Sequence, residues 1–266
     1  WGAIPYFRSR MSEQLRVGPV AKKLMRDRLA PVGLALACGD MAGEYGFFKR
    51  TGITEVDAYD ISPGQRDKFY DRVYDGEIEV NYLIADVNEI QLPENRYDLV
   101  YLHHAYHHVE ELEHVADQIL ESLKPDGVLA VVDYVGANFL QRTERQRDLC
   151  SAIWRTMPER YRLNQKGQVV SKLRIPPKES LSPYEAIRAE DIVEVLDERF
   201  EVEERFFYAG ILFPLFNGFA RNYDDDSEAD QEFLRLMWDL DRWLIETGNI
   251  EPNFMKAIYR PPNRGT

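Results

Sequence analysis

The five histidines of this 266-residue chain are its most chemically suggestive residues because they lie within twelve positions of one another. They are His103, His104, His107, His108 and His114. An imidazole can gain or lose a proton near neutral pH, and it is also a common metal ligand. The cluster therefore predicts a functional site.

The residues around this cluster indicate how it is positioned. Residues 99–102 form a short apolar run typical of a buried strand, and apolar residues in 109–123 recur at the spacing of a helix face. The histidines therefore follow a strand and precede a helix. In open α/β sheets, ligands bind beyond the carboxyl ends of the strands.

Three other predicted strands end in residues suited to ligand binding. The turn Ala37-Cys38-Gly39-Asp40 lets the backbone approach a ligand, and Asp60 follows Gly39 by twenty-one residues, where a carboxylate can accept from both ribose hydroxyls. Asp86 follows the third strand. Each feature has a simpler interpretation: the small residues as packing, and Asp60 as a cap for the helix beginning near Pro63.

The order of elements predicts an α/β fold with a doubly wound, Rossmann-like sheet of seven strands. Predicted strands cover residues 32–37, 55–59, 80–85, 98–102, 128–132, 200–208 and 254–259, with a turn at 124–127. Predicted helices cover residues 43–50, 65–74, 109–123, 143–162 and 226–247, and Ser182-Pro183-Tyr184-Glu185 predicts another helix start.

The pattern divides the chain into four parts. Residues 1–30 are expected to form an N-terminal helical cap, residues 31–136 a ligand-binding Rossmann-like core, residues 137–183 a basic helical insertion that acts as a lid on the substrate side, and residues 184–266 the completion of the sheet. The start at Trp1 instead of Met predicts a trimmed amino terminus.

Composition narrows the classes of function. The net charge is −13, which disfavours nucleic acid, yet residues 1–30 carry +5 and residues 137–183 carry +6. These basic segments are either solvated faces or a lining for an anionic substrate. No apolar stretch is long enough to span a membrane, and Cys38 and Cys150 form no disulfide or metal pattern, so a cytoplasmic protein is expected.

Taken together, the motifs resemble those of the class I S-adenosylmethionine-dependent methyltransferases. The matching residues are Ala37-Cys38-Gly39-Asp40, Asp60, Ala85-Asp86, Tyr97-Asp98-Leu99-Val100, His107-His108-Val109 and Leu123-Lys124-Pro125-Asp126-Gly127. The segments Trp1-Gly2-Ala3-Ile4-Pro5, Asp133-Tyr134-Val135-Gly136 and Asn222-Tyr223-Asp224 resemble a bacterial subgroup associated with surface-glycan biosynthesis.

The resemblance implies S-adenosylmethionine as cofactor and S-adenosylhomocysteine as product. The implied cofactor-binding residues are Ala37, Cys38, Gly39, Asp60, Ile61, Asp86, Val87 and His103. The chain departs from the family's glycine-rich loop at Ala37 and Met41, which stand at two glycine positions, and at Ala35, where the family often has an acid.

The predicted reaction is methyl transfer to a small or glycan-linked, anionic acceptor, most simply at oxygen, with nitrogen and carbon acceptors left open. His104, or failing that His103, is the expected general base, and Tyr134 is expected to orient a hydroxyl. Expected acceptor-binding residues are His107, His108, Asp133, Tyr134, Arg142 and Arg145. Any of these side chains has an ordinary structural role as its alternative.

Three other interpretations remain open from sequence. His-His-x-x-His-His could bind a metal with Glu110, Glu111 or Glu113, but adjacent side chains diverge on most backbones, so no metal is expected. A nicotinamide oxidoreductase would share the sheet and Asp60. A catalytically silent binding or scaffold protein is suggested by Met41 and the missing glycines. The oligomeric state is left as monomer or homodimer.

Overall fold

The computed structural model describes residues 2–14, 16–173 and 175–262, so Trp1 lies outside the described residues. The helices are α1 Pro5–Glu13, α2 Val17–Met25, α3 Glu44–Thr51, α4 Pro63–Arg72, α5 Leu112–Ser122, α6 Glu144–Thr156, α7 Ile192–Asp197, α8 Leu212–Phe216 and α9 Glu228–Glu246. The strands are β1 Val32–Leu36, β2 Glu55–Asp60, β3 Glu79–Ile84, β4 Tyr97–His103, β5 Leu123–Tyr134, β6 Glu201–Tyr208 and β7 Phe254–Arg260.

The strands form one seven-stranded sheet in the order β3-β2-β1-β4-β5-β7-β6. β1 pairs in parallel with β2 and β4, and the parallel pairing continues to β3 and β5 on either side. The order of strands reverses between β1 and β4, which is where doubly wound sheets bind ligands. The predicted α/β, Rossmann-like, seven-stranded fold is confirmed.

The chain separates into two compact units. The first contains residues 1–15, 136–182 and 206–254, and the second contains residues 16–135, 183–205 and 255–266. The second unit holds β1 to β5, whose buried runs alternate with amphipathic helices. In α5, for example, Leu112, Val115 and Ile119 are fully buried on one face. The functional division of the chain into four parts stays a prediction.

In the first unit, residues at helix ends explain where its helices begin and stop. Ser227 caps α9 by accepting the Asp230 amide. The predicted helix at 143–162 is wrong beyond Thr156: Met157 is extended because Pro158 follows it, and residues 159–162 form a separate 3₁₀ turn. Among the described residues, no helix has both the length and the apolar character needed to cross a membrane.

Two further sequence predictions are corrected. The turn predicted at 124–127 lies inside β5, where the pairing is irregular: Tyr97 faces Leu123, but Leu99 faces Val128. The helix predicted to begin at residues 182–185 does not form. Ala186 has a left-handed φ of 51°, which interrupts helical geometry, and the next α-helix begins only at Ile192.

Candidate active site

A cavity of about 540 Å³ opens at the carboxyl ends of β1, β2 and β4 in the second unit. Its size suits a small-molecule ligand. The lining residues come from the loops after three strands and from two helix starts: Ala37, Cys38, Gly39, Asp40, Ala42, Gly43, Glu44, Asp60, Ser62, Gln65, Lys68, His103, His104 and His108. The fold therefore brings together seven predicted site residues: Ala37, Cys38, Gly39, Asp60, His103, His104 and His108.

The loop after β1 has an unusual backbone. Ala37, Gly39 and Met41 all have left-handed φ angles, of 48°, 52° and 52°. These are the positions where the resemblance leads one to expect glycine, the residue that adopts this conformation without strain. A Cβ on Gly39 would meet nothing within 4 Å, so the loop leaves open space there. Met41 is fully buried and is not a lining residue, so it does not fill the cavity.

Asp60 ties this loop to the end of β2. One carboxylate oxygen accepts the Gly39 amide and the other accepts the Ser62 amide, both at 2.9 Å. Each oxygen has two lone pairs, so both keep acceptor capacity toward a ligand in the cavity. Asp60 thus combines a turn-forming role before α4 with a place in the cavity wall.

His103, the last residue of β4, is held from three sides. Its Nδ1 lies 3.6 Å from the carboxylate of the buried residue Glu44. Its ring stacks on Tyr101, with centroids 5.5 Å apart. A Cβ on Gly43 would lie 2.7 Å from the same Nδ1, so the absence of a side chain there lets the ring fit. A carboxylate beside Nδ1 favours a proton on that nitrogen, which leaves Nε2 as an acceptor.

His104 extends the pairing of β4 through its amide, which donates to Val132 O at 2.8 Å, and it then turns the chain with a φ of 51°. Its side chain is exposed at the cavity wall. Although part of His104 is open to solvent, the protein packed around its ring and the neighbouring His103 both disfavour the charged imidazolium, and the pKa of His104 is lowered to about 4. His104 is therefore neutral near pH 7.

Asp133, fully buried at the end of β5, organises the loop that carries the histidines. One oxygen accepts the amides of Ala105 at 3.1 Å and Tyr106 at 2.7 Å, and the other contacts His107 Nδ1 at 2.5 Å and the Tyr134 amide at 2.7 Å. Burial opposes charge on this pair, but mutual attraction and hydrogen bonding prevail. The pKa of His107 is raised and that of Asp133 is lowered.

The segment 183–188 packs against the same loop. His108 Nδ1 lies 3.1 Å from the carbonyl oxygen of Tyr184, and the Ile187 amide donates to His107 O at 3.2 Å. Glu185 lies between these two contacts, with one carboxylate oxygen 3.8 Å from His107 Nε2. Burial and the adjacent His107 lower the pKa of His108.

Comparison with known proteins identifies the part of the chain that builds this cavity. Residues 34–131 match a family described as the methyltransferase domain. This segment is a methyltransferase domain. The resemblance to class I S-adenosylmethionine-dependent methyltransferases is thereby confirmed, and S-adenosylmethionine is the cofactor of this type of domain.

Two individual proteins similar to this chain are named as methyltransferases, one by sequence and one by fold. A sterol 24-C-methyltransferase from Yarrowia lipolytica is 30% identical over 116 residues, which are 43% of this chain and only 30% of that protein. Phosphoethanolamine N-methyltransferase 2 from Haemonchus contortus, solved with S-adenosyl-L-methionine, has a TM-score of 0.56 at 15% identity and covers 93% of this chain and 52% of its own.

A second similar structure carries a different activity in its name. The (4+2)-cyclase SpnF has a TM-score of 0.52 at 14% identity, covering 93% of this chain and 81% of its own. At such identities the two structural likenesses show the fold of the methyltransferase domain and not a shared reaction.

Several predicted site residues lie outside the cavity lining of the methyltransferase domain. Asp86 is exposed and accepts the amide of Asn88 at 2.9 Å, and Val87 after it is buried. Ile61, beside Asp60, is 66% exposed. Asp133 and Tyr134 are buried beneath the histidine loop, as is most of His107.

The predicted arginines belong to the first unit and lie at two different cavities. Arg142 lines a cavity of about 1020 Å³ together with Lys172 and the apolar residues Leu140, Phe213 and Phe219, and its guanidinium lies 6.0 Å from the Phe213 ring centroid. Arg145 lines a separate, shallower depression and donates to Asn249 at 2.6 Å.

Seven lining residues of the methyltransferase cavity were not among the predicted site residues: Asp40, Ala42, Gly43, Glu44, Ser62, Gln65 and Lys68. Glu44 is the most informative because it is a buried carboxylate at the first turn of α3. An acidic residue at a helix start normally indicates a favourable interaction with the helix dipole, and nothing in the local sequence reveals its contact with His103.

Proposed function

We propose that this chain transfers a methyl group from S-adenosylmethionine to an oxygen of a small or glycan-linked, anionic acceptor, in a bacterial biosynthetic pathway of the cytoplasm. The observation that carries the proposal is the cavity of the methyltransferase domain, where Asp60, the left-handed loop at 37–41 and two histidines share one wall.

The residues present suit the cofactor. The Asp60 carboxylate retains acceptor capacity for the ribose hydroxyls, and Gly39 leaves room for close approach to the backbone. Met41, which motivated the alternative of a silent scaffold protein, is buried away from the lining. Ile61, Asp86 and Val87 follow β2 and β3 beyond the lining, and their assignment as cofactor-binding residues remains part of the proposal.

The acid-base step is assigned to the histidines after β4. When bound, S-adenosylmethionine supplies an electrophilic methyl group, so the chain itself has to position the acceptor and remove its proton. We assign His103 as the base, because its ring lines the cavity and its Nδ1 faces the Glu44 carboxylate at 3.6 Å, which leaves Nε2 as the proton acceptor. His104 has a pKa lowered to about 4, which makes it a weaker proton acceptor, and it serves as a neutral wall of the cavity.

The anionic character of the proposed acceptor is inferred from the basic insertion at 137–183. The cavity of the first unit combines the cations Arg142 and Lys172 with apolar walls from Phe213 and Phe219, which suits an amphiphilic anion. Phosphoethanolamine, the substrate class named for the Haemonchus contortus relative, also carries an anionic group.

The experiment that tests the proposal is calorimetric titration of the full chain with S-adenosylhomocysteine. We expect saturable binding, and Asp60→Asn should weaken it at least tenfold because one hydroxyl acceptor is lost, equivalent to about 1.4 kcal/mol. Glu79→Gln, on the exposed start of β3, is the control and should bind normally. Absence of binding at millimolar ligand would refute the assignment.

Binding must then be linked to catalysis. The wild-type chain should release S-adenosylhomocysteine when incubated with S-adenosylmethionine and anionic hydroxyl-bearing acceptors, and His103→Ala should lose most of this turnover while retaining the cofactor. Cofactor binding with no transfer to any acceptor would favour the silent binding protein.

A further inference from the structure

Three side chains beside the histidine loop converge on one point. His107, His108 and Glu185 each offer a ligand atom, and these atoms all lie within 4.8 Å of one another. Adjacent side chains usually diverge, but residues 106–108 form a 3₁₀ turn, and the two imidazole centroids are only 3.9 Å apart. All three residues belong to the second unit.

We propose that this cluster is a binding site for a divalent transition-metal ion, with Zn²⁺ as the foremost candidate. The ligands are Nε2 of His107, Nε2 of His108 and the Glu185 carboxylate. Two imidazoles and one carboxylate form a ligand set that binds Zn²⁺ and leaves a coordination position open for water or another oxygen ligand.

The other nitrogen of each imidazole supports this assignment. His107 Nδ1 contacts the carboxylate of Asp133 at 2.5 Å, and His108 Nδ1 lies 3.1 Å from the carbonyl oxygen of Tyr184. Both acceptors require a proton on Nδ1, so in the neutral ring the lone pair is on Nε2. Metal-binding histidines typically have such an acceptor behind them, which orients the ring and strengthens the ligand.

Charge and distance also fit a dication. Glu185 and the buried Asp133 together supply two negative charges next to two imidazoles. A tetrahedral site with bonds of about 2.0–2.1 Å requires ligand atoms roughly 3.4 Å apart. His107 Nε2 and Glu185 Oε1 are 3.8 Å apart, and no pair of ligand atoms is more than 4.8 Å apart, so closure needs shifts of at most about 1.4 Å. The partly exposed Glu185 side chain can rotate to make them.

The proposed metal site shares one residue with the cofactor cavity. His108 belongs to the cavity lining as well as to the cluster, so a bound ion would adjoin the cavity through that residue. The carboxylate comes from the segment 183–188, and Glu110, Glu111 and Glu113, the candidates nearest in sequence, are not in the cluster. Glu113 is instead paired with Arg188. Metal binding here does not depend on the proposed methyl transfer.

The test is metal binding by the full chain after removal of metals with a chelator. Chain re-equilibrated with Zn²⁺ and freed of excess metal by gel filtration should retain one Zn²⁺ per molecule by elemental analysis. Co²⁺ should give the visible absorption of a four-coordinate site. We expect His108→Ala and Glu185→Gln each to weaken Zn²⁺ binding on the order of 100-fold or more, since even changes in the outer shell cost about 10–100-fold.

Matched controls distinguish Zn²⁺ binding at this site from Zn²⁺ binding by other histidines and carboxylates of the chain. His114→Ala removes a histidine of the same segment that is bonded to Ile90 O, and Glu110→Gln removes an exposed carboxylate nearby; both should bind Zn²⁺ like the wild type. Circular dichroism checks the folding of each variant, and Glu185→Gln, with a partly exposed side chain, provides the decisive measurement if His108→Ala unfolds. No bound metal, undiminished binding by Glu185→Gln, or equal loss in the controls would each overturn the proposal.

Discussion

Gly43 matters because of the ring that occupies the space beside it. Its backbone is right-handed helical, with φ −82° and ψ −46°, so alanine would fit the backbone without strain. The added methyl group, however, would lie 2.7 Å from Nδ1 and 2.8 Å from Cε1 of His103. Gly43 therefore acts on the site through His103 and not through its own flexibility.

Gly43→Ala should displace the His103 imidazole and reduce methyl transfer. A misplacement of about 1 Å at a catalytic group can cost on the order of 100-fold in rate. We expect a fall of that order in kcat with an acceptor that the wild type methylates, and a crystal structure of the variant should show the ring moved. Gly18→Ala is the control because its Cβ would be 3.8 Å from Phe47, an ordinary contact. Unchanged kcat in Gly43→Ala would remove His103 from the mechanism.

A substitution at Ala37 tests how much the left-handed backbone of the loop after β1 costs in stability. A left-handed conformation costs a non-glycine residue about 1 kcal/mol, while glycine gains up to about 1 kcal/mol of unfolded-state entropy. Ala37→Gly should therefore leave the free energy of unfolding within about 1 kcal/mol of the wild type, measured in urea. Ala35→Gly, buried on β1, should be clearly destabilising. Met41→Gly should lose at least about 2 kcal/mol because the methionine side chain is fully buried. A marked loss in Ala37→Gly would contradict the argument.

At the scale of elements, a buried aspartate shapes a loop in each of the two units. In the second unit, Asp133 accepts two amides of the histidine loop. In the first, Asp241 accepts the amides of Ala209, Ile211 and Leu212 before α8. Both aspartates are fully buried. In each case the carboxylate accepts hydrogen bonds from backbone amides of an irregular loop, which in a helix or strand would be paired with backbone carbonyls.

Asp133→Asn should therefore disrupt the histidine loop and not only remove a charge. The amide nitrogen cannot accept the bonds that one carboxylate oxygen receives, and breaking a buried charge pair costs about 3 kcal/mol or more. Urea unfolding should show a loss of this size. The exposed Asp86→Asn, with bonds only to Asn88, should lose less than about 1 kcal/mol. A loss below 1 kcal/mol in Asp133→Asn would show that the loop is held by other contacts.

At the scale of the whole molecule, net charge distinguishes the basic insertion from the rest of the chain. The chain carries −13 overall, but residues 137–183 carry +6. Arg142 and Arg145 are three residues apart, yet only Arg142 lines the larger cavity of the first unit.

The two arginines should therefore differ in anion binding. We expect Arg142→Gln to weaken binding of the fluorescent amphiphile anilinonaphthalene sulfonate about tenfold, as for loss of one charge-assisted hydrogen bond of about 1.5 kcal/mol. Arg145→Gln should have little effect, and added salt should weaken binding by the wild type. Equal effects of the two substitutions, measured by fluorescence titration, would mean that the segment is a generally solvated basic face.

The pH dependence of stability has a contribution from His104. Its pKa is lowered from 6.5 to about 4 on folding, so below pH 6.5 the unfolded chain binds a proton that the folded chain does not. The free energy of unfolding therefore has its full value, as far as His104 is concerned, above pH 6.5, and it decreases as the pH falls toward 4. His104→Asn, whose new side chain tolerates the left-handed backbone, should flatten the decline in unfolding free energy between those values.

Urea unfolding at several pH values measures this difference. Asp241, with a pKa raised to about 6 by burial, acts in the opposite direction, but it is present in both proteins and cancels in the comparison. Parallel pH profiles for the wild type and His104→Asn would contradict the assignment.

The sequence by itself determined the arrangement of elements and the position of the site. Alternating apolar runs and helix faces specify a parallel sheet, and the carboxyl ends of parallel strands share one edge. Ala37, Gly39, Asp60 and His103 could therefore be predicted to meet, because each is located by its own strand. Element boundaries were less accurate where proline or a left-handed residue changed the backbone, as at Pro158 and Ala186.

Only the tertiary structure decided which side chains at that edge face one another. Local spacing could not show that Met41 is buried, that Glu44 reaches His103, or that Asp133 lies beneath the loop. Nor could it bring Glu185 to His107 and His108, because that contact joins segments far apart in the chain. Periodicity reports which face of an element is apolar, whereas contacts between elements depend on packing that is decided when the whole core forms.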